Sequence, residues 1–184
     1  MVIDLPSPDA REAALYDRFR ALGIAWTTYA HAPVFTVDEA AALYDSQPGV
    51  HTKNLFLKDK RDGLWLVTLR DHLRVDLNAL AKTLGSPRFS FGSAELLIAT
   101  LGIEPGSVTP FAVMNDVDGK MRLVLDAGML GEAPLNFHPL RNDRTTAVSA
   151  DGLLAFVRAT GHEPVVVEIP VSSPPPLAGE VLSK

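Results

Sequence analysis

Cysteine is absent from this chain of 184 residues. That absence excludes a disulfide framework, a thiolate zinc site and a cysteine nucleophile, and it suits a reducing compartment. No apolar run approaches the roughly 20 residues that span a bilayer, and Met1-Val-Ile-Asp-Leu-Pro6 puts no basic stretch ahead of an apolar core. A soluble, cytoplasmic protein with no membrane partner is the expectation. Three catalytic signatures are also missing: the G-x-S-x-G elbow, the G-x-x-x-x-G-K-[ST] phosphate loop and the H-E-x-x-H zinc helix. His31, His51, His72, His138 and His162 form no ligand-like pair, so neither a metal nor another cofactor is expected.

What the chain does have is an uneven charge. From His51 to Ser90 eight basic residues (Lys53, Lys58, Lys60, Arg61, Arg70, Arg74, Lys82, Arg88) face four acidic ones (Asp59, Asp62, Asp71, Asp76). That segment carries +4 in a chain whose formal charge is −5, which leaves −9 elsewhere. A basic face on an acidic body suits short-range engagement of a few phosphates.

Helical and strand patterns alternate along the chain. Leu15, Phe19 and Leu22 recur at helical spacing over residues 8–22, with Ser7 and Pro8 as start signals and Gly23 as the stop. Trp26–Tyr29 reads as a strand, and Thr36-Val-Asp-Glu39 has the form of a capping box for an alanine-rich helix to Tyr44. Val50–Lys58 and Leu64–Arg70 form a hairpin about Arg61-Asp62-Gly63. Helices follow near 76–84 and 93–101, then a second hairpin, Phe111–Met114 with Met121–Leu125 over Asp118-Gly119. Thr145–Val148, a helix near 150–160 and Val165–Ile169 complete the pattern. The fold class is therefore α/β (α+β): one domain over residues 1–170, with a mixed, largely antiparallel sheet flanked by helices. Residues 171–184, with Ser172-Ser-Pro-Pro-Pro176, read as a flexible tail.

Leu101-Gly-Ile-Glu-Pro-Gly-Ser-Val-Thr-Pro110 specifies a rigid loop. Proline fixes φ while glycine permits positive φ and close approach, so the amides of Gly106, Ser107, Val108 and Thr109 are candidate donors to a carbonyl or carboxylate. In His51-Thr-Lys-Asn-Leu-Phe-Leu-Lys-Asp-Lys60, strand alternation sends Lys53, Leu55 and Leu57 to one face and Asn54, Phe56 and Lys58 to the other. A lysine on an apolar face must snorkel, pair or serve a ligand. A third block, Leu135-Asn-Phe-His-Pro-Leu-Arg-Asn142, holds His138 in a segment stiffened by proline.

These three blocks, in this order, resemble the YbaK-like prolyl-tRNA editing superfamily, and within it the free-standing ProX type that hydrolyses alanyl-tRNA(Pro). The resemblance covers roughly residues 8–170. It implies a YbaK-like fold and a hydrolase acting in trans on the ester of mischarged alanyl-tRNA(Pro). It further implies that Lys53 engages the acceptor end of the tRNA near the scissile ester. The amides of Gly106, Ser107, Val108 and Thr109, closed by Pro110, would hold the aminoacyl carbonyl or α-amino region. His138 would line the site, in proton transfer or in positioning, and Asn54 and Asn136 join the substrate-binding set.

A synthetase pocket shaped for proline cannot exclude alanine, since missing methylenes are worth about 1–3 kcal/mol. A second, smaller pocket supplies the selectivity, with Val34, Phe35 and Met114 or Met129 as candidate walls. Arg74, Lys82 and Arg88 are candidate contacts to the tRNA. The expected partners are the acceptor end of tRNA(Pro), with prolyl-tRNA synthetase or an elongation factor as further candidates. Two alternatives stay open: a deacylase of another mischarged tRNA (Cys-tRNA(Pro), or Ser- and Thr-charged tRNAs), and a non-catalytic module that binds an aminoacyl-tRNA or a synthetase.

Overall fold

A computed structural model describes residues 5–33, 43, 46–131 and 134–172. Helix α1 (Pro8–Leu22) starts where the Ser7 hydroxyl accepts the Ala10 amide at 3.2 Å, and it buries Leu15 and Phe19, one turn apart, on the sheet side. Strand β1 (Trp26–Ala30) follows, then β2 (Val50–Asp59) and β3 (Leu64–Arg70), the expected hairpin. Helix α2 (Leu77–Thr83) is capped by Asp76, whose carboxylate accepts the Asn78 and Ala79 amides. After β4 (Phe89–Phe91) comes α3 (Ala94–Leu101), capped by Ser93. Strands β5 (Met121–Asp126), β6 (Leu135–Phe137) and β7 (Arg144–Val148), helix α4 (Ala150–Ala159) and strand β8 (Val165–Val167) complete the order.

Among the described residues eight strands form one sheet in the order β1-β7-β6-β2-β3-β5-β8, with β4 added to β2. Four pairings are antiparallel and three, β2 with β6, β3 with β5 and β5 with β8, are parallel. The sheet is thus mixed. Its two faces carry separate cores. The larger gathers Leu15 and Phe19 of α1, Leu97 and Leu101 of α3 and Phe156 of α4 against Phe56, Leu66 and Leu123. Phe19, Phe111 and Phe156 meet edge-on there, with centroids 5.2–5.5 Å apart. The smaller lies under α2 and holds Leu57, Trp65, Val67, Leu69, Leu80 and Phe89.

Two expectations are corrected. Phe111–Met114 is not a strand: Pro110–Asn115 is a 3-10 turn whose first position is taken by the proline and whose Phe111 amide is capped by the Thr109 hydroxyl at 3.4 Å. Phe111, Ala112 and Val113 are all buried, a run that strand alternation against one core would not produce. Strand β5 therefore has no hairpin partner over Asp118-Gly119 and runs parallel to β3 and β8 instead. The tail is also tied further along than expected, since Val171 bridges Val75 and the Ser172 amide donates to the Arg74 carbonyl at 2.7 Å. Residues 173–184 and, Leu43 apart, the helix expected over 36–44 lie outside the described residues.

Candidate active site

Strand β2 is flanked by β3 along one edge and changes neighbours along the other. There β6 pairs with Val50 and His51, and β4 pairs with Leu57–Asp59. Among the described residues, positions 52–56 have no strand partner on that edge, and Lys53 and Asn54 sit in the gap. The loop after α3 approaches it. Asn54 donates Nδ2 to the Val108 carbonyl at 2.9 Å, and its Oδ1 accepts from the Thr68 hydroxyl at 2.7 Å. Thr68 stands directly opposite on β3 and is fully buried. One side chain therefore joins the sheet to the loop, and a second fixes which way its amide points.

The loop is stiff for local reasons. Its start is held by Asn115, which donates to the Leu101 carbonyl at 2.8 Å, and by Arg11, which donates to the Gly102 carbonyl at 3.2 Å. Glu104–Ser107 then forms a turn with Pro105 at its second position and Gly106, at φ +88°, at its third, closed by the Ser107 amide on the Glu104 carbonyl at 3.1 Å. Only glycine takes that φ without strain, and proline is preset for the position before it. This corrects the expected donor set: the Ser107 amide is consumed by the turn, and Thr109 is wholly buried. Gly106 is exposed and Val108 half-buried, and among the described residues neither amide has a partner. They are the donors open to a ligand.

Lys53 lies on the opposite face from Asn54, at the open end of the smaller core beyond Leu55 and Leu57. Burial pushes its ammonium below the ordinary lysine value, nearby Asp71 opposes that shift, and Arg74 adds to it. His51 shares the face and is likewise held down by burial, with the Gln47 carbonyl and Asp71 pulling the other way. The parallel register sets Asn136 beside His51, and His138 follows immediately after β6. His138 has Nδ1 at 2.9 Å from the Arg144 carbonyl. A carbonyl cannot donate, so Nδ1 carries the proton. Burial lowers the ring below the ordinary histidine value, and the His31 ring, 6.3 Å away, adds to that shift. Asn136 is buried, donates to the Pro48 carbonyl at 3.2 Å and, among the described residues, has no partner for its Oδ1. Among the described residues no three His, Asp or Glu side chains converge as metal ligands would.

Residues 31–156, which contain the gap, the loop and His138, match the model of the aminoacyl-tRNA editing domain family. The chain belongs to that family. It is 39% identical over 160 residues to the prolyl-tRNA synthetase associated domain-containing protein 1 of Bos taurus, a match covering 84% of this chain and 93% of that one. It is 30% identical over 162 residues to the prolyl-tRNA editing protein ProX of Acetoanaerobium sticklandii, covering 88% and 98%. A solved structure of a candidate trans-editing enzyme for prolyl-tRNA synthetase shares the fold, with a TM-score of 0.66 at 20% identity over 91% of this chain and 99% of that one.

Within this editing domain the expected site residues fall into three groups. Lys53 and Asn54 sit at the gap, Val108 is tied to Asn54, Asn136 is paired beside His51, and Arg74 stands near Lys53, while Gly106 lies in the loop two residues before Val108 and His138 directly follows β6. Lys82 and Arg88 are exposed on α2 and on the segment after it. Met129 is corrected: it is fully buried in the larger core and can wall no open pocket, while Met114 packs against the same core half-buried. Pro110 is buried and acts through the turn it starts. Val34 and Phe35 lie outside the described residues. Thr68 and Asp71 were missed. Thr68 had a signal, since the three residues about the hairpin turn set the register that pairs it with Asn54.

Proposed function

We propose that this editing domain hydrolyses, in trans, the ester of alanine mischarged on tRNA(Pro). The observation that carries the reading is the clamp Thr68–Asn54–Val108, which holds a loop with two open amides at a break in the sheet beside a lysine. Amides held rigidly stabilise oxyanion charge as it develops and need no reorganisation at that moment. The Gly106 and Val108 amides take the developing oxyanion, and Lys53 engages a phosphate or the ester beside it. Ser107 and Thr109 are buried residues, and the Thr109 oxygen is engaged by the Phe111 amide, so we assign no nucleophilic role to the loop hydroxyls. A water is therefore the attacking group. The free 2′-hydroxyl of the terminal adenosine orients it, because an aminoacyl ester is already activated and positioning supplies much of the remaining barrier.

Selectivity for alanine follows from size, as a pocket adequate for a methyl group rejects the larger proline ring. The names of the relatives, which refer to prolyl-tRNA editing and to association with prolyl-tRNA synthetase, support tRNA(Pro) as the carrier. The test is deacylation of tRNA(Pro) charged separately with alanine, proline and cysteine, at substoichiometric protein. Multiple-turnover loss of alanine alone is expected. Loss of cysteine instead replaces the substrate, and binding without turnover of any of them overturns the enzymatic reading.

A further inference from the structure

Phe91 presents 66% of its surface to solvent, and it is the one aromatic among the large exposed apolar residues described. Its exposure is built in. Strand β4 lies antiparallel on the end of β2, with Phe89 opposite Asp59 and Phe91 opposite Leu57. Phe89 enters the smaller core and meets Trp65 edge-on at 5.4 Å, while Phe91, two residues on and hence on the same face, overshoots the margin of that core. The backbone under the ring is fixed. Ser90 donates its hydroxyl to the Lys58 carbonyl at 3.3 Å, and the Gly92 amide donates to the Phe56 carbonyl at 3.0 Å. Gly92 is required there, since a Cβ on it would stand 2.3 Å from the Phe56 ring.

Exposed basic residues lie on the segments next to β4 in the chain. Arg88 precedes it by three residues and is exposed, Lys82 is exposed on α2, which packs on β4, and Arg74 stands near Lys53 at the far end of the same face. Phe91 pairs with Leu57, four residues along β2 from Lys53, or about 13 Å at strand rise. A lone exposed phenylalanine is ordinary. A rigid exposed ring on a strand that exposed cations flank in the chain, on the face that leads to Lys53, has parts a single-strand platform uses, where bases stack on aromatics and cations track the phosphates.

We propose that Phe91 stacks against an unpaired base upstream of the terminal adenosine of the acceptor end, with Arg88 and Lys82 on the adjoining phosphates, so that the charged ribose reaches Lys53. This rests on the reading of the domain as an aminoacyl-tRNA deacylase.

The test compares Phe91→Ala and Phe91→Trp with the native protein, in binding of a short single-stranded RNA ending in CCA and in KM for alanyl-tRNA(Pro). Phe91→Ala weakens RNA binding and raises KM by roughly tenfold, the scale of one base–aromatic stack. Phe91→Trp keeps the affinity, and its added fluorescence is quenched by the RNA. The loss is confined to substrates that carry the upstream nucleotides and is absent with alanine esterified to adenosine alone. Unchanged RNA affinity in folded Phe91→Ala overturns the proposal, as does an equal loss with alanyl-adenosine. A native protein that binds the RNA through Phe91 yet deacylates nothing would overturn the deacylase reading and leave the platform standing.

Discussion

The side-chain amide of Asn54 on β2 holds the backbone carbonyl of Val108 at 2.9 Å, across 54 residues of sequence, at an edge of the sheet that no strand among the described residues occupies. Thr68 turns that amide by donating to its oxygen at 2.7 Å. Replacing Thr68 with Val leaves Asn54 Oδ1 without its donor, at a cost of about 1–3 kcal/mol in stability. The loop is then less firmly set, and kcat falls roughly tenfold. Thr68→Ser restores both. Full activity per folded molecule in Thr68→Val, seen alongside the stability loss, would make the hydroxyl purely structural.

Lys53 is held below its ordinary pKa chiefly by burial. Between that depressed value and the ordinary one the unfolded chain binds the proton that the folded chain has lost, so stability rises with pH across that window and the penalty is full below the depressed value. Lys53→Met is therefore expected to raise Tm slightly while cutting activity by roughly 10²-fold. In the native protein KM should climb as pH rises through the depressed value. Lys53→Arg, which stays charged, should remove that alkaline limb, and an identical limb in the arginine variant would detach it from Lys53.

Asp59 is buried and accepts four hydrogen bonds: from the Arg61 amide at 2.8 Å, the Gly63 amide at 3.0 Å, Trp65 Nε1 at 3.0 Å and the Ser86 hydroxyl at 3.2 Å. Burial alone would raise its pKa, and the four donors outweigh it and bring it down. Its contribution is thus present above the unfolded carboxylate value, about 4, and is lost as pH falls toward the folded one. Asp59→Asn should lower stability at neutral pH by about 1–3 kcal/mol in urea and flatten the acid limb of the stability curve.

Asp116 and His162 form a second buried pair, with Nε2 and Oδ2 3.0 Å apart. Burial pushes the Asp116 carboxyl up, and His162 together with the Met121 and Lys120 amides pulls it below its usual value. The pair sits at the Met121 end of β5, four residues, or about 13 Å, from Leu125 beside Thr68. His162→Ala should cost about 1–3 kcal/mol by removing one donor to the buried carboxylate while the Met121 and Lys120 amides remain. Turnover per folded molecule should hold, and a matching loss of turnover at temperatures well below Tm would contradict that separation.

The alternation on β2 was legible because strand period is fixed once one apolar face is recognised: Leu55 and Leu57 do reach one core and Phe56 the other. The Arg61-Asp62-Gly63 turn likewise set the hairpin. Phe111–Met114 misled because a short apolar run is common to strands and buried turns, and the deciding features, Pro110 in the first turn and the Thr109 cap, are local and easily passed over. The fate of the Ser107 amide was implicit in Pro105-Gly106, a pair that closes a turn on the next residue. Nothing local announces the Asn54–Val108 contact or the depth at which Met129 lies, since both depend on how distant segments stack.

Adjacent residues at the break in β2 answer to different halves of the domain. Lys53 stands at the margin of the core beneath α2, and Asn54 points toward the core that α1, α3 and α4 enclose. Grip on the substrate and placement of the oxyanion donors are thus two levers hinged at one peptide bond. An opening of α2 and β4 that leaves the rest of the sheet closed would release the first and spare the second. Amide exchange that is faster across 77–91 than across 94–115 would be its signature.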